Sequence, residues 1–85
     1  MNYSQDELRR LPESILLKYT LIHHELNNPA EKPEAAIAQI VGLSEACINN
    51  YKCGKGCLSR NDWKQIYTVT KFELIREWDE ANRII

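Results

Sequence analysis

The chain has 85 residues and a mass of 9.9 kDa, with 44% hydrophobic and 27% charged residues. This composition fits one small globular domain, and it excludes a large enzyme with a deep cleft and a disordered chain. The longest apolar run, Ala35 to Ala38, is far shorter than the roughly 20 residues of a membrane-spanning helix. The first residues lack the basic-then-apolar pattern of a signal peptide, so we expect a cytoplasmic protein without membrane contact.

The net charge of −1 hides an uneven distribution of charge along the chain. Residues 49–71 contain five lysines and arginines and one aspartate, whereas the segments on both sides are acidic. Such a basic segment is either a solvated face or a patch that faces phosphate groups.

The three cysteines do not form a disulfide framework, because their number is odd and no secretory signal is present. The alternative is a zinc site formed by Cys53 and Cys57 with Cys47 or with His23 and His24, but a structural zinc site usually shows two tightly spaced ligand pairs. We therefore expect reduced thiols that fill small spaces, with no metal and no other cofactor.

Helical signals dominate the N-terminal part of the chain. Ser4 and Glu7 have the spacing of a capping box, which predicts a short helical turn over residues 5–11 that Pro12 interrupts. A longer helix is predicted over residues 12–27. Its apolar residues follow a 4–3–4 spacing that predicts one buried stripe. The stripe consists of Ile15, Tyr19, Ile22 and Leu26, and Leu16 widens it.

Two short helices are predicted next. Pro33 opens the first, because proline needs no donor at a helix start, and Gly42 ends it, because glycine accepts the left-handed conformation. Ser44 caps the second. The predicted inward residues are Ala36, Ile37, Ile40 and Val41 on the first helix, and Ile48 and Tyr51 on the second.

The C-terminal part predicts two further helices. One covers residues 59–69 with Ser59 as its cap, and the other covers residues 71–83 with Thr70 and Glu73 as a capping box. No segment shows the strict alternation of a strand. We therefore predict one all-α domain of about five helices over residues 1–85.

The segment from Glu34 to Lys52, EAAIAQIVGLSEACINNYK, combines the two short helices with a tight turn. Ala38 lies four residues before Gly42, where a larger side chain would hold the helices apart. The segment resembles the helix-turn-helix of the lambda-repressor and Cro-like family. The matching residues are Ile37, Ala38, Val41, Gly42, Leu43, Ile48 and Tyr51, with a looser match through Gly54, Leu58, Ser59, Trp63 and Ile66 over roughly residues 33–70.

The resemblance implies that the second helix of the motif (in the segment 34–52) lies in the major groove of DNA. It implies base contacts from Ser44, Glu45, Ala46, Asn49 and Asn50, whose side chains suit base edges and thymine methyl groups. The alternative for the two asparagines is a polar, solvated helix face. Phosphate contacts are expected from Lys52, Lys55, Arg60, Asn61 and Lys64.

One position departs from the family pattern. The family often has a glutamine at the first residue of the motif, where it touches phosphate, but this chain has Glu34 there, with Glu31 before it. Phosphate would repel both carboxylates. We therefore expect modest affinity for DNA and a steep dependence on salt.

The last helix is the predicted dimer surface, because terminal apolar residues are hard to bury within one small chain. The alternative is that these residues close the core of their own subunit, and the N-terminal helix, with Leu16, Tyr19 and Ile22, is a rival surface. The predicted dimer residues are Phe72, Ile75, Trp78, Ile84 and Ile85.

The resemblance thus implies a dimeric, sequence-specific DNA-binding regulator of transcription, similar to Cro-like repressors and of a phage, mobile-element or antitoxin type, that acts on an operator. The alternative is a small protein-interaction module, such as a phage-encoded inhibitor, that binds a protein through acidic surfaces. We do not expect an enzyme, because no nucleophile–base set is recognisable and His23 and His24 fit a helix end. The acidic surfaces are Asp6, Glu7, Glu13, Glu31, Glu34 and the segment 73–80.

Overall fold

The computed structural model describes residues 3–82, and within that range every regular element is an α-helix. The prediction of an all-α chain is confirmed. There are six helices rather than about five, since the predicted turn near the N-terminus is a helix of its own. They are α1 (Gln5–Arg10), α2 (Glu13–Asn27), α3 (Pro33–Val41), α4 (Glu45–Lys52), α5 (Arg60–Thr70) and α6 (Glu73–Asn82).

The helix starts follow local capping chemistry. The Ser44 hydroxyl accepts a hydrogen bond from the backbone N–H of Cys47 at 3.2 Å and so caps α4. At the start of α5, Ser59 and Asp62 form a reciprocal capping box with two hydrogen bonds of 3.1 Å. Pro33 occupies the first turn of α3, as predicted.

The junction between α5 and α6 differs from the prediction. Thr70 is the last residue of α5 and not a cap of α6, because its hydroxyl donates to the carbonyl oxygen of Ile66 at 2.8 Å. Lys71 then adopts the left-handed conformation with φ of 56° and ends α5. Helix α6 consequently begins at Glu73, two residues later than predicted.

Helix α2 presents to the core a different face from the one that its spacing predicts. Ile22 and Leu26 are 52% and 78% exposed, so the predicted buried stripe is wrong for both. Of the five residues predicted to form that stripe, Leu16 alone is buried. Helices α3, α4 and α6 pack on the opposite side of α2. The residues buried there are Leu16, Leu17, Thr20, Leu21 and His24.

Helices α1 and α6 pack against each other and join distant parts of the chain. The Trp78 indole N–H donates to the carbonyl oxygen of Leu11 at 2.9 Å. Arg9 Nε donates to the carbonyl oxygen of Ala81 at 3.0 Å. Since Leu8 and Ala81 are also buried, α1 covers much of the apolar side of α6.

The apolar side of α6 therefore packs mainly against other helices of its own chain. Ile75 is only 2% exposed and is not available to a partner, so the prediction that it belongs to a dimer surface is wrong. The Phe72 ring stacks on His23 with a centroid distance of 4.4 Å, and the Trp78 ring lies 6.3 Å from that of Trp63. Both rings are half-buried. The predicted interface residues Ile84 and Ile85 lie outside the described residues.

Candidate nucleic-acid interface

Helices α3 and α4 pack against each other across a turn of three residues. Gly42 takes the left-handed conformation with φ of 71°, which turns the chain at the end of α3. The N–H of Leu43 then donates to the carbonyl oxygen of Ala38 at 2.9 Å. Ala38 and Ile48 are buried between the helices. This turn therefore fixes which side of α4 points away from the core.

The side of α4 that points outward carries most of the predicted base-contact residues. We define the outer face of α4 as Ala46, Asn49 and Asn50 together with the N-cap Ser44 that precedes them, and all four are exposed. Within residues 3–82, the two asparagine amides make no hydrogen bond through their side chains. An unbonded asparagine amide offers one acceptor and two donors, which is the set that reads an adenine edge.

Glu45 differs from its neighbours on α4, because it is half-buried and paired. Its Oε1 lies 2.9 Å from Lys32 Nζ, at the loop that precedes α3. The carboxylate of Glu45 raises the pKa of Lys32. Glu45 therefore ties the start of α4 to that loop, and it is less available to a base edge than its sequence position predicts.

The predicted phosphate contacts divide into paired and unpaired residues. Lys52 Nζ lies 3.4 Å from Glu34 Oε1, and Arg60 Nε lies 3.6 Å from Asp79 Oδ1. The exposed residues Lys55, Asn61 and Lys64 have no ion pair within the described part of the chain.

The pair of Lys52 and Glu34 changes the expectation for the start of the motif. We expected Glu34 to repel phosphate, but its carboxylate is mostly buried and is neutralised by Lys52. The same contact occupies one cation of the basic segment. Both the expected repulsion and the expected attraction at this point are therefore weaker than the sequence predicts.

The loop after α4, residues 53–57, contacts the end of that helix through a backbone hydrogen bond and the Tyr51 ring. The N–H of Lys55 donates to the carbonyl oxygen of Asn50 at 2.8 Å. Gly56 lies against the Tyr51 ring, where an added Cβ would come within 2.7 Å of Cε1. The backbone of Lys55 is thus held beside Asn50 while its side chain is exposed. The sequence signal for this contact is the pair of glycines around Lys55.

The cysteines are free thiols, but they do not fill small spaces as predicted. Cys53 and Cys57 are exposed, and Cys47 is half-buried. Within residues 3–82, no group of three or more metal-ligating side chains is close enough to hold a metal ion.

A partly buried carboxylate lies near the start of α2. Burial raises the pKa of Glu13, while the neighbouring Cys57 thiol and Trp63 indole oppose that rise. The negative charge of Glu13 in turn raises the pKa of Cys57. A raised thiol pKa keeps Cys57 protonated, which is the opposite of what a nucleophilic cysteine requires.

Comparisons of the chain with protein-family models, with curated proteins and with solved structures find no match. The resemblance to the lambda-repressor and Cro-like family therefore depends on the residues of α3, the turn and α4. Among the described residues, no helix has both the length and the apolar character needed to cross a bilayer.

Proposed function

We propose that the chain is a sequence-specific DNA-binding regulator of transcription, and that α4 enters the major groove of an operator. The observation that supports this proposal is the outer face of α4. It is exposed along the helix, whereas Ile48 on the opposite side is fully buried. Its two unbonded asparagine amides present donors and acceptors toward solvent, at positions where a base edge would meet them.

The contacts in this proposal have distinct roles. Ser44, Ala46, Asn49 and Asn50 contact base edges. Lys55, Asn61 and Lys64 contact phosphates and fix the register. Glu45, Lys52 and Arg60 are ion-paired within the chain, so they position the helices first and reach DNA only if those pairs open.

The electrostatic part of binding is small in this proposal, so the dependence on salt is shallower than the sequence led us to expect. Only Lys55 and Lys64 are unpaired among the predicted cationic contacts. Because each neutralised phosphate contributes about −0.9 to the slope of log K against log salt, two lysines give about −2 per protomer. Base contacts must therefore supply a large share of the affinity.

The resemblance also supplies the biological setting of the proposal. The resemblance favours a Cro-like repressor of a phage or mobile element, or the antitoxin of a toxin–antitoxin pair, that acts as a homodimer in the cytoplasm. Its repression would come from occupying an operator near its own promoter.

The test is selection of bound duplexes from a random-sequence pool at low salt, followed by binding titrations on the enriched site. We expect Asn49→Ala and Asn50→Ala each to relax preference at one base pair by about 1–3 kcal/mol. Lys55→Ala weakens binding to all sequences alike and reduces the salt slope by about 1. Arg10→Ala, at an exposed position on α1, is the control and leaves both unchanged.

A pool that yields no enriched sequence contradicts the proposal, and so does an enriched site to which both asparagine variants bind as well as the natural chain does. An equal loss with Arg10→Ala also contradicts it, because that loss would show binding through overall charge.

The second candidate function is binding of a protein, and the ion pairs of Lys52 and Arg60 favour it, since they leave few cations for a polyanion. Several of the acidic residues predicted to bind a protein form ion pairs within the chain and are therefore less available to a partner. Glu34 pairs with Lys52, and Glu73 and Glu80 both pair with Arg76. A chain that binds no DNA at low salt but binds one protein through its exposed acidic residues, such as Asp6 and Glu7, would support this second function.

A further inference from the structure

Helix α2 has two apolar faces on opposite sides. The outer face of α2, which we define as Ile15, Tyr19, Ile22 and Leu26, lies within an arc of about 60°, because successive residues are about 100° apart around a helix. Ile22 and Leu26 are largely exposed, and Ile15 and Tyr19 are half-buried. Tyr3 contributes to the rim of this face, since its hydroxyl donates to that of Tyr19 at 2.9 Å.

The spacing of the outer face of α2 is the same when read in either direction. The intervals are four, three and four residues. If two copies of α2 pack antiparallel about a two-fold axis between Thr20 and Leu21, Ile15 meets Leu26 of the second copy. In the same arrangement, Tyr19 meets Ile22 of the second copy. This pairing is the layer pattern of an antiparallel helix pair, in which the two apolar positions of the repeat face each other.

Two charged residues flank this face and complement each other in the same arrangement. Lys18 and Glu25 are seven residues apart, on one side of the outer face, and both are exposed. Neither forms an ion pair within the described part of the chain. In the antiparallel pair, Lys18 lies on the same edge as Glu25 of the second copy and only about 3 Å from it along the helix axis, and this occurs twice by symmetry. A parallel pair does not bring these charges together.

We propose that the outer face of α2 binds a second copy of this chain in an antiparallel, two-fold symmetric dimer. The proposal does not depend on DNA binding. The interface has four apolar side chains and one complementary charge pair from each copy, compared with about 20–30 residues on each side of a standard interface. The dimer is therefore weak, and its population rises with protein concentration.

Among residues 3–82, one further large apolar side chain is exposed, that of Val69 on α5, which is 59% exposed and has Ile40 near it. Lys64, Gln65 and Thr68 line the same patch, which therefore has one cation and no carboxylate to complement it in a second copy. Val69 thus provides a matched control that is similar to Ile22 in exposure but lies outside the proposed interface.

The first experiment is sedimentation equilibrium over a wide range of protein concentration and without DNA. We expect the natural chain to self-associate, and Ile22→Lys and Leu26→Lys each to weaken the association by at least about tenfold. Val69→Lys leaves the association unchanged. Circular dichroism and thermal unfolding of each variant confirm that the fold is retained, as expected for changes at exposed positions.

The second experiment tests the antiparallel register by charge reversal. Lys18→Glu and Glu25→Lys each place like charges opposite each other in a homodimer, so each variant alone should associate less. A mixture of the two variants should associate again, because each chain then presents the charges that the other lacks. The chain that carries both substitutions should associate like the natural chain.

A chain that stays monomeric at all concentrations overturns the proposal and leaves the outer face of α2 for another partner. A dimer that Val69→Lys disrupts while Ile22→Lys does not also overturns it, as does a dimer that ignores charge reversal. Since no DNA is present in these measurements, their failure is distinct from failure of the proposed DNA binding.

Discussion

Helices α2 and α6 depart from the sequence prediction in opposite directions. On α2, part of the stripe that the spacing predicts to be buried faces outward, with Leu26 78% exposed. On α6, a residue assigned to a partner, Ile75, lies in the core. In both helices the spacing correctly indicates an apolar side. Which side is covered depends on the elements that pack there, and those are distant in sequence.

Polar residues that are satisfied locally explain the error on α2. Thr20 is fully buried, and its hydroxyl donates to the carbonyl oxygen of Leu16 at 2.8 Å. His24 is buried as well, with Nε2 2.9 Å from Glu31 Oε2. A polar side chain with a partner on its own helix or in the adjoining loop is buried at little cost. In a sequence the same residues indicate a solvated face.

Truncation of leucines on the two faces of α2 should give the largest difference. We expect Leu17→Ala to lower the free energy of unfolding by about 2–5 kcal/mol, because it leaves a cavity in the core. Leu26→Ala should change it by no more than about 0.5 kcal/mol at concentrations where the chain is monomeric. Urea unfolding measures both, and equal losses would show that the two faces are assigned wrongly.

The contact between α6 and α1 should give the next largest effect. Trp78→Phe removes the donor to the carbonyl oxygen of Leu11, and we expect a loss of about 1–2 kcal/mol. The matched variant is Tyr67→Phe, which removes an exposed hydrogen bond to Glu73 and should cost less than about 0.5 kcal/mol. A Trp78→Phe variant as stable as the natural chain would show that α1 does not depend on this bond.

The turns before α4 and α6 should respond to substitution in opposite directions. Gly42→Ala meets no steric contact within 4 Å, so its expected cost of about 1–2 kcal/mol comes from the left-handed backbone alone. Lys71 has the same backbone conformation without being glycine, and we expect Lys71→Gly to stabilise the chain by up to about 1 kcal/mol. Thermal unfolding distinguishes these directions, and a shift of the same sign in both would refute the conformational explanation.

The smallest expected effect depends on pH. The pKa of Glu13 is raised in the folded chain, so its ionisation opposes folding. This penalty is absent below the usual range of a glutamate and develops as the pH rises through the raised pKa of the folded state. Glu13→Gln should therefore stabilise the chain slightly at neutral pH and lose that advantage in acid. An advantage in unfolding free energy that persists unchanged in acid would contradict this account.

The sequence predicts best those features that residues near each other determine. Ser44, Ser59 and Gly42 set helix ends through contacts with residues up to four positions away, and all three act as predicted. The ion pair of Lys52 and Glu34 spans 18 positions, and no local rule indicates it. For the candidate interface, the sequence thus predicts the exposed asparagines but not which lysines remain unpaired.

The hydrogen bonds between α1 and α6 have a consequence for the order in which the chain acquires its structure. They join residues that are 67 to 74 positions apart. A helix of six residues is too short to persist in water by itself, so during synthesis α1 has nothing to dock on until α6 has left the ribosome. Helix α1 is therefore made before the helix that stabilises it, and damage at the end of α6 would release α1 as well.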